Sequence, residues 1–276
     1  MTPVAASAEK PATANAPLRV ERPRAGVVRL VLANPPANAL SEAMLDALQS
    51  AIDGAATDAS SRVVVIAAEG KLFSGGHDLK QMTAHRSDPD NGRAYFEDVF
   101  ARCSRVMQAL VALPNPVVAE VGGIATAAGC QLVASCDIVV AADTALFGVN
   151  GIDVGLFCST PMVALSRNVS PKVALDMLMT GEMIDADRAL AVGLVSRIAL
   201  PGELRAETDK VIDRLLARPP NVLALGKRAF YEQLRMPLAD AYRFGSATIV
   251  GNMLMDEAEE GIAAFIEKRK PAWRDQ

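Results

Sequence analysis

Aromatic residues make up only 4% of this 276-residue chain, and it has one tryptophan and two histidines, His77 and His85. With so few aromatics, no basic stripe to interleave them and a formal net charge of −4, nucleic acid is not an expected partner. The scarcity of histidine argues against structural zinc, as does the lack of any C-x-x-C pair among Cys103, Cys130, Cys136 and Cys158. No apolar run is long enough to span a bilayer. The Ala/Pro/Thr-rich start, Met1 to Pro17, lacks the apolar segment of a secretory signal and reads as a disordered arm. Four scattered cysteines read as reduced, buried thiols of a cytoplasmic protein. An acidic chain can still hold a polyphosphate through a local Lys/Arg cluster, because net charge says little about one patch.

What is present is a large reserve of aliphatic residues, 51% hydrophobic overall, enough for an extensive core. Arg19 to Leu32 predicts two short strands broken at Pro23–Gly26. Ser41 is placed to cap a helix running to about Ala56, with Met44, Leu45, Leu48 and Ile52 at helical spacing. Arg62 to Ala68 predicts a buried strand, and Glu69 to Asn91 a loop. Gly92 to Leu113 predicts a helix, Pro116 to Val121 a strand, Ala127 to Ser135 a short helix and Asp137 to Ala141 another strand. This alternation implies an α/β protein with a mainly parallel sheet. From Pro161 onward the pattern is helical, interrupted by one strand at Leu194 to Ile198. The organisation expected is an arm over residues 1–17, a βα core over 18–200 and a helical C-terminal region over 201–276.

Two connections combine a strand end with small residues entering a helix: Phe73-Ser74-Gly75-Gly76-His77-Asp78-Leu79 and Gly122-Gly123-Ile124-Ala125-Thr126-Ala127-Ala128-Gly129. Small residues let another group approach the backbone, and a helix start leaves N–H donors unpaired. Two such starts facing one point would form an oxyanion hole. Either loop taken singly reads more readily as an ordinary strand–helix connection.

The first loop resembles the F-x-x-G-x-D-[LI] motif of the crotonase (enoyl-CoA hydratase/isomerase) family. Gly129-Cys130-Gln131-Leu132 through Cys136-Asp137-Ile138 resembles that family's G-C-E-L…C-D-I segment, and Asn34-Pro35 with Asn38-Ala39-Leu40 resembles its N-x-P…N-A-L signature. Val154 to Pro161 and the ending Phe265 to Trp273 resemble one subgroup, that of enoyl-CoA hydratase domain-containing protein 3. The resemblance covers Leu18 to about Arg274. It implies the crotonase (ClpP-like) fold, a repeated ββα spiral core with a helical C-terminal trimerisation region. It further implies an acyl-coenzyme A thioester as small-molecule substrate, no tightly bound cofactor, and a homotrimer or a hexamer of paired trimers.

Residue by residue, the resemblance puts the thioester oxygen on the backbone N–H groups of His77 and Ala128. It lays coenzyme A along Lys71, Phe73, Gly75, His77 and Leu79, with Lys71, Lys268 and Lys270 as phosphate partners. Hydratases of the family carry two catalytic Glu residues, and here Gln131 and Gly151 stand in their places. Gln can orient a water but has no useful basicity. Asp153 would face the same side as Gly151 if that segment is extended, and otherwise reads as a solvated turn or capping residue. Cys158 is either a nucleophile or a buried inert thiol. The His77 imidazole either titrates near neutrality against the ligand or is a loop side chain beside Asp78. Asp78 is expected to orient the loop backbone. His85 reads as solvated surface, and Met177/Met179 and Met253/Met255 as core. The function implied is fatty acyl-CoA chemistry of the hydratase/isomerase type, or an acyl-CoA-binding module that has lost the hydration step.

Overall fold

The structure is a computed structural model that describes residues 16–273. The arm expected over 1–17 therefore lies outside the described residues except for its last two positions. β1 (Leu18–Glu21) and β2 (Val27–Leu32) form an antiparallel pair, broken where Pro23–Gly26 predicts. α1 (Glu42–Thr57) follows, with the Ser41 side chain accepting from the Met44 N–H and Met44, Leu45, Leu48 and Ile52 buried.

After α1 the chain repeats one unit, a long strand, a three-residue strand and a helix. The units are β3 (Val63–Ala68), β4 (Leu72–Ser74) and α2 (Leu79–Ala84); then, after α3 (Arg93–Ala112), β5 (Val117–Val121), β6 (Ile124–Thr126) and α4 (Ala128–Ala134); then β7 (Ile138–Ala142), β8 (Leu146–Gly148) and α5 (Ser159–Leu165). The remaining elements are α6 (Pro171–Thr180), β9 (Ile184–Asp185), α7 (Ala186–Val192), β10 (Arg197–Ala199), α8 (Leu204–Leu216), α9 (Pro220–Gln233), α10 (Leu238–Met253) and α11 (Asp256–Ile266). The long strands make a six-stranded sheet in the order β1-β2-β3-β5-β7-β10, parallel from β2 onward. The short ones make a second sheet, β4-β6-β8-β9, parallel except for its β9 edge.

The six-stranded sheet is buried on both faces, which is why β3 reads Val-Val-Val-Ile without alternation. Val64 and Ile66 join the main core with α1 and α3, while Val63 and Val65 face α8 through Val211 and Ile212. α9 is anchored by polar contacts. Lys227 Nζ lies 2.7 Å from Asp137 Oδ2 and donates to the carbonyls of Leu110 and Asn115. The Tyr231 hydroxyl donates to Asp137 Oδ1 at 2.9 Å.

Five expectations need correction. The loop over 69–91 holds β4 and α2; three-residue strands carry too little pattern to be read. The strand placed at 194–198 is three residues later at its start, over Arg197–Ala199. The segment after β8 is a 3-10 turn, Asn150–Val154, and not extended. Of the methionines, Met177 is core, but Met179 and Met253 are exposed. His85 is also not simply solvated: its ring stacks on Tyr95 at 3.7 Å and its Nδ1 lies 2.7 Å from Asp88.

Candidate active site

The second sheet brings the two small-residue connections together. β4 and β6 run side by side in parallel, Leu72 opposite Ile124 and Ser74 opposite Ala125, so their exits point the same way. The first exit is stitched from below by the Asn34–Leu40 turn. Asn38 is wholly buried; its Nδ2 donates to the carbonyls of Glu69 and Leu72, and its Oδ1 accepts from the Asn34 N–H. Gly75 N–H donates to Ala37 O, and Leu40 N–H to Gly76 O, both at 2.8 Å. Asp78 caps α2, accepting from the Lys80 and Gln81 N–H groups, which is the orienting role expected of it.

The two exits then meet backbone to backbone. Gly76 has φ +85°, and a Cβ built on it would sit 2.9 Å from Ala127 Cβ and 3.1 Å from Ala128 N. A Cβ on Gly129 would sit 2.3 Å from Ser74 O. Only glycine fits either place. With Gly76 against Ala128, the backbone N–H groups of His77 and Ala128 lie on neighbouring turns. Among the described residues, neither finds an acceptor.

Around this pair, Gln131 is 5% exposed and its Oε1 accepts from Cys103 Sγ at 3.9 Å. Gly151 has no room for a side chain: a Cβ there would meet Leu156 O at 2.5 Å and Cys158 Sγ at 2.8 Å. The Cys158 thiol thus fills the space beside Gly151. Burial raises its pKa, against the opposing hydrogen bond from the Gly151 N–H. Burial likewise pushes Cys103 and Cys130 up to about 12. These thiols stay protonated near neutrality, which removes the nucleophile reading of Cys158. Asp153 is exposed, and its Oδ1 lies 2.8 Å from the Cβ position of Gly181 at the end of α6. The 3-10 turn aims it there, because residues two apart share a side only in an extended segment.

The His77 ring packs edge-on against Phe100, centroids 5.2 Å apart, with Nδ1 3.3 Å from Leu40 O. Its Nε2 is sealed from solvent without a partner. Burial lowers the imidazole pKa from 6.5, opposed in part by the Leu40 carbonyl. The unfolded chain therefore binds this proton more readily, so the contribution to stability is full above about 6.5 and is lost as pH falls below it. The melting temperature of the wild type is expected to drop between pH 6.5 and 5 more steeply than that of His77→Phe. Equal slopes would contradict the buried neutral imidazole.

The expected coenzyme A residues do not all converge. Lys71 and Leu79 are exposed at the loop. Phe73 is 1% exposed and belongs to the main core, so its side chain cannot meet a ligand. Lys268 lies past the end of α11 with φ +57°. Among the described residues no hydrogen bond or ion pair ties the 268–270 stretch to the 71–79 loop. One polar group was missed. Asn150, half-buried beside Gly151, accepts from the Thr126 hydroxyl through its Oδ1. Its only trace in the sequence is an Asn following a short strand.

Comparison with known proteins gives the family. Residues 22–276 match the family model described as enoyl-CoA hydratase/isomerase. The chain belongs to the enoyl-CoA hydratase/isomerase family. Within this crotonase family it falls with the enoyl-CoA hydratase domain-containing protein 3 subgroup. It is 48% identical over 258 residues to the mitochondrial protein of that name from Xenopus laevis, 93% of this chain and 86% of that one. The human protein is 48% identical over 249 residues, 90% and 80% of the two chains. An enoyl-CoA hydratase from Mycobacterium smegmatis has a crystal structure that superposes with a TM-score of 0.88 at 51% identity, covering 93% of this chain and 98% of that one. The human subgroup structure gives 0.87 at 46%, covering 93% and 100%.

These names correct one expectation. The vertebrate crotonases are named as mitochondrial, so the cytoplasmic assignment made from the cysteines does not stand. Reduced, buried thiols do not say which reducing compartment a protein occupies. Among the described residues, no helix is long and apolar enough to cross a membrane.

Proposed function

We propose that the protein binds acyl-CoA thioesters and polarises their carbonyl between the N–H groups of His77 and Ala128, without hydrating a double bond at the rate of a hydratase. The observation that carries this is the contact of Gly76 with Ala128, which sets two unpaired N–H donors on adjacent turns. By resemblance the two catalytic carboxylates are replaced by Gln131 and Gly151, and Asp153 and Cys158 do not stand in for them. Coenzyme A would pass over Lys71 and Leu79, with no tightly bound cofactor required. The reading sits within fatty acyl-CoA metabolism.

Calorimetric titration with butyryl-CoA, against free coenzyme A, tests it. The acyl thioester is expected to bind more tightly than coenzyme A, and indistinguishable affinities would exclude a role for the carbonyl.

Assembly as a homotrimer or a pair of trimers belongs to the same proposal. The last helices support it: α9 and α10 bury no residue fully, while Phe230, Leu238, Tyr242, Leu254 and Phe265 are exposed. Sedimentation as a monomer at micromolar concentration would contradict it.

A further inference from the structure

The direction of the His77 N–H is set from behind, by Leu40. The Gly76–His77 peptide is trans, so its carbonyl and its N–H point opposite ways. The Gly76 carbonyl accepts from the Leu40 N–H at 2.8 Å. The His77 N–H therefore points away from Leu40, to the side where it finds no acceptor among the described residues. Leu40 is wholly buried in the main core, which fixes this grip to the body of the protein.

The imidazole takes hold of the other end of the same residue. Its Nδ1 lies 3.3 Å from the Leu40 carbonyl oxygen. A carbonyl can only accept, so Nδ1 carries the hydrogen and Nε2 keeps the lone pair. Leu40 is thus held twice, its N–H by the carbonyl of the donor peptide and its C=O by the side chain of the donor residue. Phe100 on α3 packs against the ring, and Nε2 is sealed without a partner.

That sealed lone pair makes the grip conditional. A proton on it would put a charge and an N–H where neither water nor an acceptor reaches. The charged groups of the elements packed here are engaged elsewhere. On the same loop Asp78 caps α2, and at the start of α1 Glu42 accepts from the Gln81 amide. On α3 Asp98 is held by Arg102, and burial keeps the Tyr95 hydroxyl and the Cys103 thiol protonated. Burial lowers the imidazole pKa, and the Leu40 carbonyl alone opposes it. A protonated ring must swing out to water, and it then releases the Leu40 carbonyl.

We infer that the His77 imidazole positions its own backbone N–H for the thioester carbonyl: neutral, it clamps Leu40 and holds that donor in line, and protonated, it lets go. This rests on the acyl-CoA reading above and adds a pH-dependent control of the same site.

Calorimetric titration of the full chain with butyryl-CoA and with free coenzyme A, between pH 7.5 and 5, tests it. The ratio of the two affinities cancels titration of the phosphates that both ligands share and leaves the grip on the carbonyl. The wild-type ratio is expected to fall about three- to tenfold as pH drops below the ordinary imidazole value of 6.5, the scale of one hydrogen bond. His77→Phe, which keeps a ring and removes both nitrogens, should show the lowered ratio already at pH 7.5 and no change with pH. His77→Asn offers an amide N–H to Leu40 and does not titrate, so it should recover part of the ratio and hold it at pH 5. Circular dichroism at each pH checks the fold, and if His77→Phe does not fold, the wild-type profile and His77→Asn decide. A wild-type ratio that is flat from pH 7.5 to 5 overturns the inference, as does an equal fall with pH in His77→Asn. A His77→Phe ratio equal to that of the wild type at pH 7.5 overturns it too. Equal affinities for the two ligands in the wild type at pH 7.5 would defeat the acyl-CoA reading, and the inference with it.

Discussion

Supplied with a 2-enoyl thioester, the protein is expected to hydrate it at least about 10⁴-fold more slowly than a family member carrying both catalytic carboxylates. Each general acid–base group contributes about 10²–10⁴-fold, and on the proposed reading two are missing. No neighbour replaces them. Gln131 has no basicity, the Cys158 thiol is held protonated by burial, and Asp153 is turned toward Gly181. The His77 Nε2 lone pair is sealed away from any water. Loss of the conjugated absorbance on incubation with short and medium 2-enoyl-CoAs measures the rate, and turnover comparable to a hydratase would contradict the account. Simple repair is also expected to fail. A Cβ at Gly151 meets the Leu156 carbonyl at 2.5 Å, which is backbone and cannot swing aside, so Gly151→Glu must displace the 151–158 segment. Gln131→Glu alone restores one group and should leave the rate at least about 10²-fold short.

The second large effect concerns stability. Lys227→Met is expected to cost about 3–5 kcal/mol, because it removes one partner of a buried ion pair and leaves the other charged. Lys227 and Asp137 side chains are 8% and 16% exposed. Burial pulls the Lys227 pKa down, and Asp137 opposes this. The remaining partners of Asp137, the Val117 N–H at 2.7 Å and the Tyr231 hydroxyl at 2.9 Å, are both neutral. The charge would then be under-compensated where α9 docks. Lys227→Met/Asp137→Asn should lose less than Lys227→Met alone, as should Tyr231→Phe, which gives up one hydrogen bond to a charged group, about 1.5–3 kcal/mol. Urea unfolding midpoints at constant m separate these cases. A Lys227→Met midpoint close to that of the wild type would show that the pair does not hold α9.

Much of this was legible in the sequence where physics is local. Ser41 capping α1, the all-aliphatic β3 and the two glycine-rich exits each follow from propensity, burial pattern or close approach, and the structure places them as read. The second sheet was not legible, because β4, β6 and β8 have three residues each and no measurable period. Side-chain direction was harder still. Phe73 lies inside a motif that suggests a ligand, yet it fills the core. Asp153 was placed by assuming an extended backbone, and the 3-10 turn rotates it away. The exclusion of a side chain at Gly151 depends on Cys158, seven residues on. The hydrogen bond of Asn150 to Thr126 joins the ends of two strands far apart in the sequence. Such contacts are properties of the packed fold and leave no mark on a linear pattern.

The central claim is that two backbone N–H groups grip a thioester carbonyl, and the 13C resonance of a butyryl-CoA labelled at that carbonyl reports it directly. On saturating binding, the resonance is predicted to move downfield as the carbonyl polarises, and in folded Ala128→Pro, which lacks one donor, the shift should shrink. A carbonyl resonance unmoved in the saturated wild-type complex would contradict the account.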